Sequence, residues 1–319
     1  MRLSLSRHRT TWRQRLQRLC LLLGLAAGPA AAYDSVAVVT GAESAASTEF
    51  VLALRRELDN RKNQPIAFSV SQTAAGNVSA GRKPPDLIIA VGVQALQQTA
   101  PLADRIPVLG VLVPRQAYQK IRDSTPPGHA LSAITLDQPQ SRQLALLHYL
   151  LPQAKQVGLL LGPSNAELGV QVGRDAQALQ LKTSVRTIDS EAQLPSVLSQ
   201  LLQDCDVLLA TPDPLVYTRD TAQTILLTSY RHQKPVIGFS KAYVMAGALA
   251  AVYSTPEQIA RQTADIIIQG ASRASALPAA QSPQYFSVAT NRQVARSLGI
   301  TIDSETQLAD KIRDQEATP

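Results

Sequence analysis

Short runs of apolar, β-branched residues alternate along this chain with amphipathic stretches of helical length, the pattern of a parallel sheet covered by helices on both faces. The runs predict strands at 35–40, 66–70, 86–91 and 107–113, then a second series at 131–136, 157–161, 184–188, 206–210 and 235–239. Their continuous apolarity implies burial on both sides. Between them, 48–60 places Phe50, Leu54 and Leu58 on one helical face, and 138–151 aligns Leu144, Leu147 and Leu151. The helix predicted at 256–270 is marked at both ends: Thr255 and Gln258 form a capping box around Pro256, and Gly270 supplies a stop. Asn291 and Gly299 frame a shorter helix in the same way.

Two interruptions divide the pattern. IRDSTPPG (121–128) breaks the strand series with two prolines and a glycine, and 271–283 is rich in Ala, Ser and Pro. The stretch from 303 onward is polar with little periodicity and is expected to be a loosely held tail.

The 319-residue length suits one large or two medium domains. Residues 1–32 stand apart: six arginines (2, 7, 9, 13, 15 and 18) without an acid precede an apolar run at 19–27, and Ala30-Ala31-Ala32 offers an A-x-A cleavage site. This reads as a secretory signal peptide, and its nine-residue apolar core is far short of a membrane span. A mature chain starting near Tyr33, soluble and periplasmic, is the expectation. Removing six arginines from 31 basic residues leaves 25 against 24 acids, so the net charge of +7 belongs almost wholly to the signal. No nucleic-acid partner is therefore expected. Cys20 opens the apolar run, where a lipid-anchoring cysteine would follow it, and Cys205 is left alone, without an intramolecular disulfide. Trp12 also departs with the signal.

GFSKA (238–242) raises a serine-nucleophile reading through its likeness to G-x-S-x-G. In that architecture the histidine follows the serine, yet the last histidine, His232, precedes Ser240. His129, His148 and His232 lack metal-type spacing, and neither a Walker A loop nor a dinucleotide fingerprint is present. No catalytic residue, metal or cofactor is expected.

Four segments carry a family resemblance. LPQAKQVGLLLGPSNAELG (151–169) resembles the lobe-crossing segment of ABC-transporter substrate-binding proteins of the tryptophan/tyrosine type, and DVLLATPDPLVYT (206–218) is similar to their strand and proline-aspartate loop. KPVIGFSKAYVMAGALAAVYSTPEQIARQTADIIIQG (234–270) resembles their strand, G-A-L-A run and helix, and FSVATNRQVARSLGI (286–300) their closing strand and helix. The resemblance implies the periplasmic binding protein type I fold: α/β, two doubly wound Rossmann-like lobes, three crossings, and a ligand cleft between them. On that basis lobe one is expected at 33–130, completed by about 251–277, and lobe two at 131–250, completed by about 278–302. The chain departs from the family pattern in the short loop TGAESAAST (40–48), in VGVQ (91–94) and in VPR (113–115), which lacks the usual aspartate-proline. These departures fall on lobe-one ligand loops and leave room for a ligand other than an aromatic amino acid.

Ligands of open α/β sheets bind at the carboxyl ends of strands. That rule selects Thr40, Gly41, Gly92, Gln94 and Arg115 from lobe one, and Ser164, Asn165, Asp213 and Ser240 from lobe two; Tyr253, at the end of the G-A-L-A run, is a further candidate. Ser240 reads as a hydrogen-bond donor to ligand ahead of a structural turn serine, with catalysis behind both. Ser164 and Asn165 precede a helix and suit an anion as well as they suit an ordinary cap. Asp213, between two prolines, suits a ligand ammonium or, equally, a cap. Arg115 reads as a carboxylate clamp or a solvated loop arginine, Tyr253 as a cleft ring or a core or hinge tyrosine. The functional expectation is an exported solute-binding protein that captures a small organic ligand, an amino acid or relative, for an inner-membrane ABC permease. A periplasmic sensor or accessory protein for a signalling receptor is the alternative, and a secreted serine hydrolase stands behind both.

Overall fold

The computed structural model describes residues 33, 35–61, 66–72, 84–270 and 277–317; the expected export signal at 1–32 and residues 271–276 of the second break lie outside them. Two sheets form. Sheet one contains β1 (Ser35–Thr40), β2 (Ala67–Ser71), β3 (Leu87–Val91), β4 (Val108–Val113) and β5 (Leu131–Thr135) in the order β2-β1-β3-β4-β5, all parallel. Sheet two contains β6 (Gln156–Leu161), β7 (Lys182–Thr187), β8 (Val207–Leu209), β9 (Val236–Gly238), β10 (Ala250–Tyr253) and β11 (Ser287–Thr290) in the order β7-β6-β8-β9-β10-β11. Only β11 runs antiparallel, against β10.

The inner strands of each sheet are covered on both faces, which explains their unbroken apolar runs, whereas the edge strands β2 and β7 are largely exposed, against the expectation of burial for every strand. All five residues of β3 are buried. On one face of sheet one, α1 (Ala45–Arg61) sets Phe50, Leu54 and Leu58 beside Ile259, Ala264 and Ile267 of α9 (Pro256–Gly270). The other face is closed by α2 (Val93–Thr99) and α3 (Arg115–Asp123), through Leu96, Tyr118 and Ile121. In lobe two, α4 (Gln140–Leu150) and α5 (Ala166–Ala178) cover one face, while α6 (Leu194–Gln203), α7 (Arg219–Arg231) and α8 (Lys241–Ala246) cover the other. Thr255 and Gln258 make the reciprocal capping-box bonds at the start of α9. Asn291 caps α10 (Arg292–Ser297), accepting from the amides of Gln293 and Val294.

Three expectations need correction. The proline-rich stretch 121–128 is no boundary: it joins α3 to β5, and β5 pairs with β4, so sheet one extends through Thr135. The breaker residues were real, but they serve an ordinary helix-to-strand connection. At the other end, residues 251–253 belong to β10 in sheet two, because the apolar run after Gly247 continues as a strand before α9 begins. The polar tail forms α11 (Glu305–Ala317), whose Leu308, Ala309 and Ile312 are buried in the lobe-two core. Three apolar residues on one face suffice for that docking, although they leave weak periodicity in a charged sequence.

Three segments therefore join the lobes: residues 136–139 between β5 and α4, 254–255 between β10 and α9, and 278–286 between α9 and β11. The first leaves the carboxyl end of β5 and the second leaves that of β10. The third runs alongside β5, where Gln281 bridges Ile134, before turning into β11.

Candidate functional site

Each sheet reverses its winding at one point. In sheet one β1 lies between β2 and β3, and in sheet two β6 lies between β7 and β8; crevices at such switch points are where open α/β sheets hold ligands. Of the sequence-selected residues, Thr40, Gly41, Gly92 and Gln94 fall there in lobe one, and Ser164, Asn165 and Asp213 in lobe two.

In lobe one, Thr40 ends β1 opposite Val91, the last residue of β3. Gly92 follows with φ 86° and ψ 169°, a region open only to glycine, and starts α2 without a side-chain cap. Gln94, one residue into α2, reaches back across the switch point so that its Oε1 accepts the amide of Ala42 at 3.2 Å. A Cβ built on Gly41 would lie 3.0 Å from that same oxygen. The two strand-end loops are thus in close approach because position 41 has no side chain.

In lobe two, Asp213 is 3% exposed and binds both sides of the switch point. Its Oδ2 accepts the Gly162 amide at 2.8 Å and the Asn165 side-chain amide at 2.7 Å. Oδ1 accepts the amides of Leu215 and Val216 at 2.9 and 3.0 Å. Four N–H donors occupy the carboxylate, so its role is to fasten two loops, and the expected ligand ammonium finds its oxygens taken. Asn165 also donates to the carbonyl of Pro212 at 3.1 Å and makes no side-chain bond to its own helix. The cap reading fails for it, because Asp213 holds its amide. Ser164 lies in the short turn Pro163–Asn165 just ahead of α5.

Ser240 caps α8, its Oγ accepting the Tyr243 amide at 3.2 Å. His232 precedes β9 at the opposite end of that strand from Ser240. Behind Ser240, Phe239 and Tyr243 stack with centroids 5.3 Å apart, and Tyr217 meets both rings edge-on. In a chain with 4% aromatic residues this cluster gives lobe two a stiff wall. Burial pushes the Tyr217 and Tyr243 phenols above the ordinary tyrosine range.

Arg115 and Tyr253 lie apart from the switch points, on the side where the lobes are joined. A β-bulge at Leu112, with φ 54°, precedes Arg115. The Arg115 guanidinium donates to Ser282 Oγ at 2.9 Å and its amide to Asp137 Oδ2 at 2.6 Å, so it contacts two crossing segments. Burial raises the Asp137 carboxyl above the usual aspartate range, and the Arg115 amide and charge partly offset this. Tyr253 ends β10 next to Ser254 on the second crossing; burial and then Glu305 raise its phenol.

Sequence reasoning missed the residues that knit the crossings together: Asp137, Gln138, Arg142, Ser254 and Ser282. The available signal was Arg142, near the start of a helix whose other residues are leucine, alanine, tyrosine and the polar Gln140, Ser141, Gln143 and His148, without another arginine, lysine or acid.

No helix among the described residues is long and apolar enough to cross a membrane. The chain resembles several solved structures. One is a Streptococcus pneumonia ABC domain in complex with L-Trp: 18% identity, 87% of this chain and 97% of that one, TM-score 0.56. A ligand-free, open substrate-binding protein with adhesive properties from Clostridium difficile aligns at 20% identity, covering 85% and 96%, with TM-score 0.67. A periplasmic ribose ABC transporter structure from Conexibacter woesei aligns at 14%, covering 88% and 99%, with TM-score 0.52. No curated protein matches the sequence. The fold is that of the type I periplasmic binding proteins. The sequence matches the family described as ABC transporter substrate binding protein over residues 41–311, and the chain belongs to that family.

Proposed function

We propose that this chain is an exported receptor that closes two lobes over a small polar organic ligand, an amino acid or a related acid, and presents the closed form to an inner-membrane ABC permease from the periplasm. The observation that carries the reading is the pair of switch points, one per lobe, each at the carboxyl edge of its sheet, the same edge from which two of the three crossing segments depart. Binding that favours the closed form shifts the population toward it. Family membership supports solute capture, and the L-Trp complex of the streptococcal domain supports an amino-acid-like ligand. The occupied carboxylate of Asp213 directs recognition to neutral groups: Thr40 and Gln94 in lobe one, Ser164 and Ser240 in lobe two, with the backbone amides of both strand-end loops.

The test is a thermal-shift screen of residues 33–319 against amino acids, organic acids, nucleosides and sugars. A ligand bound only by the native state raises Tm by mass action. A shift confined to amino acids or small acids supports the proposal, and one confined to sugars or nucleosides overturns its ligand class.

A further inference from the structure

We infer that the C-terminal helix sets the angle between the lobes through one buried guanidinium, that of Arg142. The side chain is 8% exposed and touches three parts of the chain. Its Nη1 donates to Gln138 Oε1 on the first crossing at 3.0 Å and to the Pro283 carbonyl on the third at 2.6 Å. Its Nε donates to Glu316 Oε1 of α11 at 2.6 Å. The second crossing joins through Gln138, whose Nε2 donates to Ser254 Oγ at 2.8 Å, and Ser254 Oγ donates in turn to the Tyr285 carbonyl at 2.6 Å. All three crossings are thereby linked in one network, and α11 supplies its anion.

Phe286 forms the floor, with the Arg142 guanidinium 4.3 Å and the Arg313 guanidinium of α11 5.6 Å from its ring centroid. The third crossing is held on its other side by lobe one: Gln262 of α9 donates to the Ser282 carbonyl and accepts the Gln284 amide. Residues 283–286 thus lie between a lobe-one grip and a lobe-two grip. Rotation of the lobes requires backbone change in these crossings, so every bond made to them selects an angle. A buried guanidinium that loses its carboxylate leaves an unpaired charge and relaxes its other bonds. An α11 serving only as packing would lack this link. The inference stands whatever the ligand, since it concerns the ligand-free protein.

Interlobe distances measured by pulsed electron resonance on residues 33–319 test it, with spin labels at Gln119→Cys on α3 and Val170→Cys on α5, both exposed. Cys205, 2% exposed with its thiol pushed up to about 11, stays unlabelled. Glu316→Gln is expected to broaden the distance distribution about twofold over the parent. Leu308→Ala, which loosens α11 packing but keeps Glu316, is expected to lower Tm and leave the distribution unchanged. A Glu316→Gln distribution that superimposes on the parent overturns the inference, as does equal broadening by Leu308→Ala.

Discussion

The side-chain amide of Asn165 donates to Oδ2 of Asp213 at 2.7 Å, joining the loop after β6 to the loop after β8 across the lobe-two switch point. With Gly162 on the same oxygen and Leu215 and Val216 on the other, the carboxylate has a full set of donors. In Asp213→Asn the amide oxygen still accepts from Leu215 and Val216, but its NH2 faces two other donors. Each lost or clashing bond to a charged acceptor is worth about 1.5–3 kcal/mol. Calorimetric unfolding should therefore rank wild type above Asp213→Asn and Asp213→Asn above Asp213→Ala. Ligand affinity should fall in the same order for cationic and anionic ligands alike, because the loops move. A loss confined to cationic ligands with unchanged Tm would restore Asp213 as a ligand group.

The two lobe-one glycines should respond differently to the same methyl group. Gly92 has open space where a Cβ would lie but a backbone that only glycine adopts. Gly92→Ala should cost about 1–3 kcal/mol from backbone strain alone. Gly41→Ala instead meets Gln94 Oε1 at 3.0 Å, which can swing away, and Gln94 Cβ at 3.2 Å, which has to yield by a few tenths of an ångström. It should lower Tm less than Gly92→Ala while breaking the Gln94 to Ala42 bond. Paired melting curves check this: a larger loss at Gly41 than at Gly92 would contradict it.

Asp137 gives a pH dependence with a defined sign. Its folded pKa lies above the ordinary aspartate value because burial disfavours the charge. The folded state then holds the proton more tightly than the unfolded state, so this group's contribution to stability falls as pH rises from the usual aspartate pKa, about 3.9, through the folded value. Arg115 opposes the shift. Arg115→Ala should raise the Asp137 midpoint further in a carboxyl carbon NMR titration. Asp137→Asn should keep an acceptor for the Arg115 amide and remove this part of the pH dependence. A midpoint unmoved by Arg115→Ala would show that the two charges do not communicate.

The legible parts of the fold were those written in local chemistry. The apolar strands, the Thr255–Gln258 capping box and the Asn291 cap all carry their own signals, since each needs only neighbours within a few residues. The lobe boundary did not, because β5 and β6 are equally apolar and only pairing assigns them to different sheets. The strand-end rule located Thr40, Gly41, Gly92, Gln94, Ser164 and Asn165 at the switch points, but it could not tell that Asp213 is already occupied. The hinge was hidden for a related reason. Gln138, Ser254 and Glu316 are separated by more than a hundred residues in places, and polar residues in loops and helices look the same before a buried Arg142 brings them together.

Gly158 and Cys205 offer a test of packing in the lobe-two sheet. Gly158 sits within β6, and a Cβ there would lie 2.7 Å from Cys205 Sγ, 3.2 Å from its Cβ and 3.3 Å from Leu201 Cγ. The glycine is needed because α6 and the residues that follow it press onto the strand at this point. Gly158→Ala should destabilise by about 1–3 kcal/mol, the usual penalty of overpacking. Cys205→Ala alone removes a buried sulfur and should cost on the order of 1 kcal/mol. In the double variant the sulfur contact is gone while the Cβ and Leu201 contacts remain, so relief is partial. The mutant cycle, measured by urea unfolding, should show a favourable coupling of about 0.5–2 kcal/mol. Strict additivity of the two losses would mean that the strain is carried by Leu201 and the backbone, and that the close approach of β6 to Cys205 does not limit this site.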